Sequence, residues 1–132
     1  MISGAALSTK ALLPGAKVIA AEPKGADDAY RSFTSGKLIP SVNPNTIADG
    51  LLTSLGELSF GIIMDKVDEI VTVSEEGIIR AMRMIWERMK IIVEPSSAVP
   101  LAAILEKQVE VSGKKIGIII SGGNVDLARL PF

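Results

Sequence analysis

Histidine and cysteine are both missing from this 132-residue chain. Without them, no Ser-His or Cys-His catalytic pair, no His-based zinc site and no thiolate metal site can be built from its own residues. The lack of cysteine also excludes a disulfide framework and fits a cytoplasmic protein. Charge of either sign is dispersed, with a net of -1, so there is no basic stripe for nucleic acid and no acidic tail. No apolar run approaches the length of a membrane span, the apolar N-terminal residues lack the basic flank of a signal peptide, and no repeat of fixed period is present. Any chemistry must use carboxylates, lysine, hydroxyls or a cofactor. What remains, 48% hydrophobic and 22% charged residues, describes one well-buried globular domain.

Residues 3–12 have helical spacing and stop at Leu13-Pro14-Gly15, so the chain opens inside a helix without a convincing cap. Residues 17–21 read as a strand ending at Glu22-Pro23, followed by a polar loop and a helix from about Asp27 to Ser35. Residues 36–54 are rich in turn signals, and so long an irregular stretch inside a compact domain is often functional. A short helix over 55–64 and a strand over 69–73 follow. Ser74-Glu75-Glu76 supplies a cap with acidic residues in the first turn, and Ile78, Ile79, Met82, Ile85, Trp86 and Met89 form an apolar stripe predicting a helix over 75–90. Trp86 is read as core. Residues 91–95 are extended, a helix starts at Ser96-Ser97 with Pro100 in its first turn or so and runs to about Gln108, and residues 115–120 form a third strand. Apolar strands alternating with helices predict a three-layer α/β fold, a parallel sheet with helices on both faces. Three strands make an incomplete sheet of this kind, so the chain reads as part of a larger domain with exposed strand edges.

The run Ile118-Ile119-Ile120-Ser121-Gly122-Gly123-Asn124 is the first candidate site, because a buried strand that ends in a polar turn is where open α/β sheets bind ligands. Ser121 offers a hydroxyl, Asn124 an amide, and the glycines allow close backbone approach.

Four segments, Ala20-Ala21-Glu22-Pro23-Lys24-Gly25-Ala26-Asp27-Asp28, Thr46-Ile47-Ala48-Asp49-Gly50, Val93-Glu94-Pro95-Ser96-Ser97-Ala98 and Ser121-Gly122-Gly123-Asn124-Val125-Asp126-Leu127, make the chain resemble the C-terminal part of serine racemase and the serine/threonine dehydratases. These are pyridoxal phosphate enzymes of fold type II, the tryptophan synthase β-subunit-like fold. The resemblance implies that residues 1–132 are part of the large domain of such an enzyme. It implies that Ser121 meets the pyridine nitrogen of pyridoxal 5'-phosphate, that Gly122 and Asn124 shape the same pocket, and that Gly50 and Glu94 lie near the cofactor ring. Glu94 is either a buried carboxylate in need of partners or a solvated loop acid. Glu22, Ala26 and Asp28 match the family's divalent cation site, where two carboxylates and a backbone carbonyl suit Mg²⁺ or Ca²⁺. Without the resemblance, Glu22 is a strand-end acid and Asp28 a helix-start acid favoured by the macrodipole.

The Schiff-base lysine of the family stands in a Ser-Phe-Lys-like context that no lysine here shares, and the second base of racemisation and the substrate-carboxylate loop are also unmatched. The resemblance therefore implies a chain that carries half of a site for serine or threonine and is inactive alone, in an enzyme that racemises its substrate or eliminates its β-hydroxyl. It further implies a homo-oligomer, a dimer, or association with the N-terminal portion, and ATP as a partner of the intact family. The alternative is a non-catalytic module that binds a divalent cation or forms a subunit interface. A generic Rossmann domain ranks last, because no Gly-x-Gly-x-x-Gly follows a strand.

Overall fold

The computed structural model describes all residues, Met1–Phe132. Helix α1 (Ile2–Leu12) leads to strand β1 (Ile19–Pro23), helix α2 (Asp28–Ser35), helix α3 (Glu57–Lys66), strand β2 (Glu69–Val73), helix α4 (Glu75–Met84) and helix α5 (Pro95–Leu105). The strands pair in parallel, Ile19 opposite Glu69 and Pro23 opposite Val73.

Alternation along the strands sends side chains to two covered faces, which makes three layers. On one face, Val71 and Val73 pack with Ile78, Ala81, Met82 and Ile85 of the α4 segment and Ala98, Val99, Ala102 and Ala103 of α5, with Ile19 and Ala21 against them. On the other, Ile70 joins Ala6 of α1, Ile63 of α3, Val18 and Val67, with Ala20 alongside. The small residues of α5 let it lie close to α4 and reach both strands.

Ser74 caps α4 as expected: its side chain accepts from the Gly77 N–H at 3.0 Å, and Glu75 and Glu76 occupy the first turn. The helix then widens into a π turn over Ile85–Met89 and stops at Lys90, whose φ of 58° is left-handed. The indole N–H of Trp86 donates to the Val93 carbonyl at 2.9 Å and its ring meets Phe132 edge-on, so Trp86 is structural. Helix α5 starts at Pro95, one residue earlier than the sequence suggested, which places Pro100 inside the helix rather than in its first turn. Its missing N–H cannot return to the Ser96 carbonyl.

The predicted third strand is corrected. Residues 115–120 carry no strand pairing, and none of their backbone groups bonds to another backbone group. An apolar β-forming run becomes a strand only when a neighbour supplies ladder partners, and none of this chain's strands lies beside it. The sheet therefore has two strands. Ile116, Ile118, Ile119 and Ile120 are exposed.

Candidate functional site

The residues read as cofactor-facing converge at the start of α5. Glu94 precedes the helix; its backbone N–H donates to the Gly122 carbonyl at 3.1 Å, and its carboxylate accepts from the Asn124 N–H at 3.0 Å. Of the two readings of Glu94, the structure gives the half-buried carboxylate with a partner. Gly50, in a 3₁₀ turn over Asp49–Leu51, donates to the Ser96 hydroxyl at 3.2 Å and to Asp49 Oδ1 at 2.9 Å. Three loops thus meet one helix end, and the irregular 36–54 segment is latched to it.

The two glycines of the turn sit where an added Cβ would be crowded. A Cβ at Gly122 would stand 2.9 Å from a Glu94 carboxylate oxygen, and one at Gly123 would stand 2.7 Å from the Ile92 carbonyl. Close backbone approach is therefore the reason for glycine at 123, whereas at 122 the crowding atoms are the end of the Glu94 side chain, the same carboxylate that accepts from the Asn124 N–H.

Sequence reasoning missed the group that ties this turn together. Ser97, read only as part of a helix start, is buried, and its hydroxyl stands 3.1 Å from the Ser121 N–H, 2.7 Å from the Gly122 N–H, 2.7 Å from the Gly122 carbonyl and 3.1 Å from Ser121 Oγ. A hydroxyl has one proton and two lone pairs. The two N–H groups fill the lone pairs, and the shorter carbonyl contact takes the proton. Ser121, exposed at the surface, then finds no lone pair on Ser97 and keeps its own proton for another acceptor. The only sequence signal was a Ser-Ser pair after Glu-Pro, which fits an ordinary helix start equally well.

Ser97→Ala is expected to destabilise the chain by about 1 kcal/mol, because the Ser121 and Gly122 amides turn to water instead. Urea unfolding together with faster amide exchange at these two residues checks this; unchanged exchange would show that the hydroxyl does not hold the turn.

Glu22, Ala26 and Asp28 form a second group at the carboxyl end of β1. Glu22 Oε2 accepts from the Tyr30 N–H at 2.8 Å, Asp28 Oδ2 accepts from the Leu55 N–H at 2.9 Å, and Ala26 and Asp28 are buried. Burial raises the Glu22 carboxyl to about 7, opposed by the N–H groups of Tyr30 and Ala29 and helped by the negative charges of Asp28 and Asp27. Asp27 is paired with Arg31 at 2.7 Å. No group of three or more His, Cys, Asp or Glu side chains is gathered here as a metal cage. The side-chain donors are two carboxylates, each already engaged by a backbone N–H. Hard oxygens and crowded negative charge fit a divalent cation that keeps several waters.

A family model described as pyridoxal-phosphate dependent enzyme matches residues 1–122. The β-hydroxyaspartate dehydratase of Paracoccus denitrificans (strain Pd 1222) is 50% identical over 132 residues, with 100% of this chain and 42% of that protein covered. The serine racemase of Dictyostelium discoideum is 53% identical over 134 residues, covering 98% of this chain and 41% of that protein. Its crystal structure superimposes with a TM-score of 0.89 at 55% identity, covering 96% and 41% of the two chains. The crystal structure of a threonine deaminase from T.th. gives a TM-score of 0.85 at 42% identity, covering 97% of this chain and 47% of that one. The chain spans about two-fifths of the length of the curated relatives it matches.

Proposed function

This chain belongs to the family of pyridoxal-phosphate dependent enzymes, and from that premise we propose that it is the C-terminal part of an enzyme acting on small hydroxy amino acids such as serine or threonine. The reaction is racemisation, or β-elimination to a keto acid and ammonia. The relatives named serine racemase, β-hydroxyaspartate dehydratase and threonine deaminase support this substrate class.

The carrying observation is the convergence of Ser121, Gly122, Asn124, Glu94 and Gly50 on one helix start, where the Ser97 hydroxyl holds the 121–122 turn. When bound, pyridoxal phosphate supplies the electron sink for the substrate's α-carbon. Ser121 would meet its pyridine nitrogen as a neutral hydroxyl, which, unlike a carboxylate, would not hold that nitrogen protonated. Glu94 and Ser97 fix the turn that presents Ser121, and glycine at 122 and 123 lets that turn sit against Glu94 and Ile92. Glu22, Asp28 and the Ala26 carbonyl would hold Mg²⁺ or Ca²⁺, which would fix the loop without taking part in bond breaking. The resemblance alone leads us to propose a homo-oligomer with a nucleotide, ATP, as a further ligand, and the lack of cysteine a cytoplasmic location. The alternative of a non-catalytic, cation-binding module has in its favour the like charge of Asp28, which helps to raise the Glu22 carboxyl.

Alone, the chain catalyses neither reaction. Titration with pyridoxal phosphate, with and without Mg²⁺, is expected to give no absorbance band above ~400 nm that borohydride traps on a single lysine. One lysine trapped in good yield would make this chain the source of the nucleophile and overturn the proposal.

A further inference from the structure

We infer that Trp86 and Phe132 are positioning residues for the proposed cofactor site: they close a ring of contacts that holds the 121–124 turn, and with it Ser121, against the start of α5. The inference rests on the proposed function only for what the turn presents.

The turn is thinly tethered without such a device. From residues 115–132 a single backbone hydrogen bond reaches the rest of the chain, the one from the Glu94 N–H to the Gly122 carbonyl. Side chains add the Ser97 hydroxyl and the Glu94 carboxylate, both from the same helix start. Ser121, Gly123 and Asn124 are exposed, so opening the turn sacrifices few apolar contacts.

The residues after the turn supply a second fixed point. Asp126 caps a 3₁₀ turn over Leu127–Arg129 by accepting from the Ala128 N–H at 2.9 Å, and Val125 and Leu130 pack on the main core. Phe132 then comes to rest on the end of the α4 segment. Its ring centroid lies 5.8 Å from that of Trp86 at 81°, an edge-to-face pair, and the Arg83 guanidinium lies 5.9 Å from the Phe132 centroid. Arg83 and Trp86 stand three residues apart in helical backbone, so one ring reaches both. Arg83 Nε also donates to Glu87 Oε1 at 2.7 Å, which keeps the guanidinium in place. Together the aromatic and cation contacts are worth roughly a tenfold shift in a local opening equilibrium.

What Phe132 rests on decides its role. At 40% exposure it is not a core residue, but Trp86 beneath it donates its indole N–H to the Val93 carbonyl at 2.9 Å. Val93 is followed by Glu94, whose carboxylate accepts from the Asn124 N–H. The path therefore closes on itself, from Asn124 along the chain to Phe132, across to Trp86, on to Val93 and through Glu94 back to Asn124. Inside this ring Gly123 lies against the Ile92 carbonyl, backbone on backbone. Removing the Phe132 ring leaves the turn held from one side only.

The test reads amide exchange residue by residue in the full chain. Phe132→Ala is expected to speed exchange at Glu94 and Asn124 by roughly tenfold while the amides of β2 keep their rates. Phe132→Tyr, which keeps the ring, is expected to restore the wild-type rates, and Trp86→Phe, which keeps a ring but loses the N–H, is expected to speed the same two amides. In an assembly with the portion of the Dictyostelium discoideum serine racemase that this chain does not match, Phe132→Ala is expected to lower kcat for pyruvate from L-serine with KM nearly unchanged, because it displaces a cofactor-facing turn. Unchanged exchange at Glu94 and Asn124 in Phe132→Ala overturns the inference. Faster exchange spread equally over β2 does so as well, since it makes the ring a general stabiliser, and so does a kcat equal to wild type. A wild-type assembly that makes no pyruvate would count against the proposed function, and the exchange pattern would then decide the clasp.

Discussion

Gly25→Ala is expected to cost about 3 kcal/mol, the upper end of what overpacking usually does, and to loosen the acidic loop after β1. A Cβ at Gly25 would stand 1.9 Å from the Asn45 carbonyl oxygen and 2.9 Å from its carbon. Both obstacles are backbone, so no side-chain rotation relieves them. The same two residues are joined by the Asn45 N–H, which donates to the Gly25 carbonyl at 2.8 Å, so moving them apart also breaks a bond. The 43–48 loop in turn is held by Glu75, whose Oε2 accepts from the Ile47 N–H at 2.8 Å. A shift at Gly25 therefore propagates toward Ala48, which is fully buried in the main core. Gly61→Ala is the matched control: it lies within α3 with nothing within 4 Å of its added Cβ, and is expected to stabilise by roughly 0.5–1 kcal/mol through helix propensity. Urea unfolding of both variants decides; a Gly25 variant as stable as the Gly61 variant would mean that the two loops are not locked together.

The second large effect is in pH. Burial holds the Glu22 carboxyl at about 7 in the folded chain against an ordinary 4.5, so between those values the folded chain keeps a proton that the unfolded chain has lost. The stability contributed by protonated Glu22 is fully present below about 4.5 and is lost as the pH rises through about 7. The difference corresponds to on the order of 3 kcal/mol. Asp28 and Asp27 add to the effect by like charge, and the Tyr30 and Ala29 N–H groups oppose it. Asp68 and Glu87 are shifted downward by Lys10 and Arg83, so the stability they add is lost only in more acidic solution, outside this window. Melting curves at pH 5 and pH 8 are expected to show the chain weaker at pH 8, with Glu22→Gln nearly level between the two. Mg²⁺ at pH 8 is expected to restore the wild-type chain and not the variant, because the proposed cation replaces the lost proton. A wild-type chain equally stable at both values would remove the charge crowding on which the cation assignment leans.

The sequence made α4 legible down to its cap, since Ser74, the acidic first turn and the apolar stripe all act locally. β1 and β2 were legible to within two residues as apolar runs between turn signals, and their parallel direction with them, although their adjacency and register were not. Residues 115–120 were misread for a physical reason: strand propensity lies in the run, but a strand exists only in a ladder, and a ladder partner is not a local property. Ser121 was named from the apolar run that ends at Ser-Gly-Gly-Asn, Glu94 and Gly50 from resemblance, and the structure brings them to one place. Ser97 was invisible because its importance comes from four contacts 24 or 25 residues away along the chain, which leave no periodic trace. The same holds for Gly25, whose need to be glycine is set by Asn45.

The proposed function makes this chain one half of a cofactor site whose nucleophile comes from elsewhere. Its most direct test is to co-express the chain with the portion of the Dictyostelium discoideum serine racemase that it does not match, add pyridoxal phosphate, and follow pyruvate from L-serine while mapping the borohydride-trapped lysine. Pyruvate is expected only from the pair, with a single trapped lysine on the partner polypeptide and a markedly lower rate with Ser121→Ala. Trapping on a lysine of this chain, or pyruvate from this chain alone, would contradict it.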